Sequence, residues 1–144
     1  MSCMFRIDGR SLNIDRLLSA VSLPATMSFR KGQHRSEIKK DGERNRNSGA
    51  SFLVSNADFH QFEKQKKDAI SFLTNKRTVI RRIMNWPGVD SACLDFGIER
   101  RDVAAQFDHL PAELLRLAGE LGIDIEISQY SIEHKNESQQ GDGD

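Results

Sequence analysis

A chain of 144 residues, 38% of them apolar, has the size of one domain and can bury a core without a disulfide or metal staple. Cys3 and Cys93 form no CxxC or CxxH pair, which suits a reducing compartment. Met1–Arg10 carries Arg6, Asp8 and Arg10 where a signal peptide would be apolar, and no uncharged stretch approaches the ~20 residues of a membrane helix, so a soluble, cytoplasmic protein is expected. The net charge of zero hides a division: residues 1–89 hold 17 Lys or Arg against 8 Asp or Glu, and residues 90–144 hold 4 against 13. Such asymmetry suits either complementary halves of one fold or a surface that recognises a charged partner.

Cys3, Phe5 and Ile7 alternate with Met4, Arg6 and Asp8, the period of a half-buried strand, and Gly9-Arg10 ends it. Asn13 is placed to cap a short helix whose apolar side is Leu17, Leu18 and Val21, with Leu12 and Leu17 as a staple across the cap and Pro24 as the stop. Thr26–Arg30 alternates as a second strand. From Arg30 to Arg46 seven basic and three acidic residues leave too little apolar surface to offset the ordering entropy, so 33–47 reads as a mobile basic loop or hairpin tip. Ala50–Ser55 reads as a buried strand.

Asn56 or Ser55 is expected to cap the main helix, with Phe59, Phe62, Ala69, Ile70 and Leu73 inward and Lys64, Lys66, Lys67 and Asp68 on the wet face. Asn75 interrupts it before a second stretch carrying Val79, Ile80, Ile83 and Met84, which Trp86-Pro87-Gly88 closes. Ala92, Leu94, Phe96 and Ile98 alternate as a strand, and Val103, Ala105 and Phe107 suggest a weaker one. Pro111 suits a first helical position, Leu114, Leu115, Ala118 and Leu121 make a stripe, and Gly122 sits where a left-handed cap belongs. Ile123, Ile125 and Ile127 alternate as a last strand, while 131–144 lacks a core pattern and reads as a disordered tail. The elements mix without regular βαβ alternation. They predict a single α+β domain over 1–130, a mostly antiparallel sheet with helices packed on it.

No catalytic pattern stands out. His34, His60, His109 and His134 are scattered without metal-ligand spacing, there is no GxSxG elbow, and no phosphate loop or dinucleotide fingerprint appears. Asp108-His109 would point to opposite faces of an extended chain, so the pair reads as a cap for the helix that follows. Neither enzymatic activity nor a metal or cofactor is expected. Lys64, Lys66, Lys67, Lys76, Arg77, Arg81 and Arg82 form a basic cluster of the kind that phosphate backbones attract, and nucleic-acid binding through it is the alternative function.

Phe5-Arg6-Ile7-Asp8-Gly9 with Leu12, then Leu23-Pro24, Arg30-Lys31-Gly32, Ser48-Gly49 and the closing LPAELLRLAGELGIDIEISQY (Leu110 to Tyr130) together resemble the bacterial family of domain of unknown function 4279. The resemblance spans Phe5 to Tyr130 and implies an α+β fold. Small proteins of this general kind are expected to be immunity partners of secreted toxins, and that association suggests a protein that blocks a toxin by occlusion. Arg35, Lys39, Lys40, Arg44 and Arg46 are then the candidate partner-binding residues, with Asp90, Asp95, Glu99 and Asp102 as an acidic alternative.

Overall fold

A computed structural model describes residues 2–34 and 42–131. The elements are β1 (Cys3–Gly9), α1 (Ile14–Ala20), β2 (Met27–Phe29), β3 (Ser48–Ser55), α2 (Phe62–Asn75), α3 (Arg77–Met84), β4 (Ser91–Arg100), α4 (Ala112–Leu121) and β5 (Asp124–Ser131). The five strands form one sheet in the order β2-β3-β1-β4-β5. Its pairs are antiparallel except β4 with β5, which α4 joins as a parallel crossover. The α+β architecture with a mostly antiparallel sheet is the one the pattern predicts.

Alternation decides what the sheet buries. Cys3, Phe5 and Ile7 on β1 face the helices with Ala50 and Phe52 on β3 and Ala92, Leu94, Phe96 and Ile98 on β4, all buried. Leu73, Ile80, Ile83, Leu114 and Leu117 come from α2, α3 and α4 to close that layer. Phe5 stacks on Phe52 with ring centroids 5.8 Å apart, and Phe62 meets Phe96 edge-on at 5.6 Å. Asn13 caps α1 by accepting from the Arg16 amide, and Leu12 and Leu17 are buried across that cap. Gly122 ends α4 at φ 75°, a conformation that side chains with a Cβ rarely adopt.

Five expectations need correction. The segment Val103–Phe107 is not a strand: it joins no strand of the sheet and connects β4 to α4 with Val103 55% and Phe107 87% exposed, so its alternating apolar residues have no core to face. Neither Ser55 nor Asn56 caps α2, which begins at Phe62; the Ser55 hydroxyl instead donates to Asp68 and accepts from the Ala57 amide. Lys66 lies in the core and not on the wet face, because it shares a helical stripe with Phe62, Ala69 and Leu73. Pro111 precedes α4 as its cap residue, and α4 starts at Ala112. Ser131, read as the start of the tail, is the last residue of β5; residues 132–144 lie outside the described residues.

Candidate functional site

The register fixes two ends of the sheet. The end of β1 meets the starts of β3 and β4, with Gly9 beside Ser48 and Asp8 beside Ser91. The start of β1 meets the end of β3, with Cys3 beside Ser55, and β4 and β5 finish together beyond it, with Arg100 beside Ser131. The basic segment lies at the first end and the connection 101–110 at the second.

At the first end, β2 and β3 continue as a hairpin arm. The Asn45 amide donates to Gln33 O at 2.8 Å, the Gly32 amide donates to Asn45 O at 2.9 Å, and His34 bridges Arg44. The Asn45 side chain holds Arg30 O, and the Lys31 amide donates to the Ser48 hydroxyl. Arg30 pairs with Asp15 of α1, whose carboxyl the guanidinium holds below the usual range. Arg44 and Arg46 are exposed on this arm; Arg35, Lys39 and Lys40 lie outside the described residues. Thus the described part of the basic segment is a backbone ladder leading away from the sheet.

At the second end, the connection 101–110 is fastened by two side chains. Gln106 accepts from the Arg101 amide through Oε1 at 2.8 Å and donates from Nε2 to Glu99 O at 2.9 Å and to the Asp108 carboxylate. Lys66 reaches out from α2, its side chain 4% exposed, and donates to His109 O at 2.6 Å and to Glu63 at 2.7 Å, with its ammonium 4.4 Å from the centre of the Phe62 ring. The ammonium holds the Glu63 carboxyl below its usual range. A cleft of about 190 Å³ runs between α2 and this connection, lined by Phe62, Ile98, Glu99, Arg101, Phe107 and His109 among others. Beside it Phe59 stacks on Tyr130 with centroids 5.0 Å apart.

The sheet face away from the helices gathers charge. Arg6 of β1 lies between Asp95 of β4, at 3.3 Å, and Glu126 of β5, at 2.5 Å, with the Cys93 sulfur at 3.8 Å. Burial pushes the Cys93 thiol up against the opposing pull of Arg6, so it stays protonated at neutral pH. Burial likewise raises the Cys3 thiol on the opposite face. Of the acidic alternative, Asp95 is committed to Arg6 and to Ser128, and Asp90 accepts from the Arg10 amide. Glu99 lines the cleft, and Asp102 is exposed on the connection.

The central basic cluster is partly engaged in pairs. Lys66 is buried, Lys64 pairs with Asp68, and Arg77 pairs with Glu120, leaving Lys67, Lys76, Arg81 and Arg82 exposed on α2, α3 and their junction. Sequence reasoning missed Lys66 as a fastening residue and the 101–110 connection as an exposed surface. The signal for the first was present, since positions 62, 66, 69 and 73 make one helical stripe; for the second there was none. Among the described residues no group of three or more His, Cys, Asp or Glu is arranged to hold a metal, and no helix is long and apolar enough to cross a membrane. Residues 1–132 match the family described as Domain of unknown function (DUF4279). No curated protein and no solved structure matches the chain.

Proposed function

The chain belongs to the DUF4279 family, and from that premise we propose that it is a cytoplasmic immunity-type protein that binds a cognate bacterial toxin and neutralises it by occlusion, without catalysis of its own. The observation that carries this reading is the hairpin arm, whose ladder of Gln33 with Asn45 and His34 with Arg44 carries exposed Arg44 and Arg46 beyond the ends of β2 and β3. Charge presented there adds little to packing. Its physical use is to steer a partner of opposite sign and fix its register. The sequence places Arg35, Lys39 and Lys40 in the same segment, so an acidic toxin surface is the partner chemistry that fits.

The test replaces Arg35, Lys39, Lys40, Arg44 and Arg46 together with Ser. The partner is first obtained by co-purification from the native host, and binding is then measured by calorimetry at two ionic strengths. The melting transition stays nearly unchanged, the affinity falls strongly, and the wild-type complex weakens as salt rises. An unchanged affinity overturns the arm as the contact and moves it to Asp90, Asp95, Glu99 and Asp102. The alternative, a nucleic-acid-binding accessory protein, draws on the exposed Lys67, Lys76, Arg81 and Arg82. It predicts salt-dependent binding to a short duplex that an Arg81→Ser, Arg82→Ser variant loses.

A further inference from the structure

Strand register sorts the side chains on the sheet face away from the helices into rows. One row runs Met27, Ser51, Arg6, Cys93 and Asp124 from β2 to β5, and the next runs Leu53, Met4, Asp95 and Glu126 from β3 to β5. The rows divide the face in two. Toward β2 and β3 stand Met27, Leu53, Met4 and Phe29, the last with its ring over Gly49. Toward β4 and β5 stand Asp8, Asp95, Asp124 and Glu126 with a single base, Arg6. Asp95 and Glu126 share that one guanidinium, and Asp8 accepts from the uncharged Ser91 hydroxyl, so this half stays acidic. The face is open to solvent: Met27 is 61% and Leu53 37% exposed, and the Glu126 side chain 56%. The four helices bury their apolar sides in the core on the opposite face.

The two halves together select an occupant. A metal ion or a polyamine would satisfy the carboxylates and leave the apolar half in water. A nucleic acid or an anionic membrane is repelled by the acidic half. A protein segment with an apolar stripe bordered by Lys and Arg meets both. An amphipathic basic helix is its simplest form, since at about 10 Å across it covers neighbouring strands spaced about 4.8 Å apart. A second copy supplies no such segment among the described residues. Its exposed bases Lys67, Lys76, Arg81 and Arg82 stand on α2, α3 and their junction, where no large apolar side chain is exposed.

We propose that this open sheet face is a second docking surface, which takes a basic amphipathic helix of another protein. The apolar stripe of that helix lies over Met27, Leu53 and Met4, and its Lys and Arg side chains face Asp95, Asp124 and Glu126. The surface is separate from the hairpin arm and takes a partner of the opposite sign, so it does not depend on what the arm contacts.

The methionines make the test local, because Met4 and Met27 lie on this face while Met84 packs against the core. The full chain, labelled at its methionine methyls, is titrated with a helical peptide of Leu and Lys in amphipathic order and followed by NMR. The Met4 and Met27 methyls shift, Met84 does not, and binding weakens as salt rises. Asp124→Asn with Glu126→Gln weakens binding roughly 10-fold, and so does Leu53→Ser, each removing part of one half of the contact. All three positions are exposed, so the variants melt as the wild type does; if Leu53→Ser melts early, Met27→Ser takes its place and is read at Met4. Arg44→Ser with Arg46→Ser leaves the binding unchanged, and the same peptide with Glu in place of Lys does not bind. Unshifted Met4 and Met27 methyls overturn the proposal. So do equal shifts with the Glu peptide, or an affinity that the charge and Leu53 variants leave intact. Methyl signals of Met4 and Met27 that move with protein concentration alone would show a second copy covering the face, and would overturn the choice of partner.

Discussion

The hairpin arm and the 101–110 connection occupy opposite ends of one sheet and are held by different means. The base of the arm is mainly backbone bonded to backbone, Gly32 and Gln33 with Asn45. The connection has a short backbone turn, Val103 to Arg101, and depends otherwise on the side chains of Gln106 and Lys66, the second borrowed from α2 forty-three positions earlier. A backbone ladder accepts almost any side chain on its exposed side. A segment fastened by side chains depends on a few residues, one of them remote in sequence. The first arrangement leaves the arm's surface charges free to change with the partner, and the second fixes Phe107 in place.

The comparison breaks most visibly at Lys66. Lys66→Ala removes a buried stem, the bond to His109 O, the Glu63 pair and the contact with the Phe62 ring, and should cost about 2–4 kcal/mol in urea denaturation. A loss within the noise of the measurement would mean that the connection does not depend on this lysine. Gln106→Ala leaves the Arg101 amide and Glu99 O without their partner, with a smaller expected loss of about 1–2 kcal/mol. Its sharper signature is local: the Arg101 amide should exchange hydrogen faster while the amides of β1 keep their protection.

Acid acts on ion pairs at both ends. The bond from Ser55, followed by Lys64, holds the Asp68 carboxyl below its usual range; Lys66 does the same for Glu63, and Arg30 for Asp15. Since these folded-state values are depressed, the unfolded chain takes up protons first as pH falls. The stabilisation is therefore complete above the ordinary carboxylate values of about 4 and is lost as pH drops through the folded ones. The melting temperature should be level from neutrality to about pH 5 and fall below about pH 4, and Asp68→Asn should flatten that fall. A transition that instead sharpens near pH 6 would implicate histidines. Smallest of all is the arm: Arg44→Ser with Arg46→Ser should change stability by less than about 0.5 kcal/mol per site, and a larger loss would show that the arm packs after all.

Several parts of the fold were legible because they follow from local rules. The alternation of Cys3, Phe5 and Ile7 and of Ala92 to Ile98 gave strands with the correct buried face, and Asn13 and Gly122 marked helix ends through their own backbone chemistry. The same rule failed at Val103, Ala105 and Phe107, which lie exposed in the connection from β4 to α4 and face no part of the core. At Ser55 the expected cap was lost to a side chain thirteen residues away, Asp68. At the candidate site, the basic charge of the arm could be read directly, whereas the exposed position of Phe107 could not.

The sequence alone determined the binary pattern, the division of charge and the absence of the usual catalytic motifs. These are properties of neighbouring residues or of counts, which need no partner in space to be defined. Only the tertiary structure decided that the arm and Phe107 stand at opposite ends, that Lys66 is buried as a fastening residue, and that the central basic cluster is partly engaged in pairs with Glu63, Asp68 and Glu120. Each of these depends on which strand edges are already filled and which remote group comes within hydrogen-bond distance, and both are settled by packing the whole sheet against its helices.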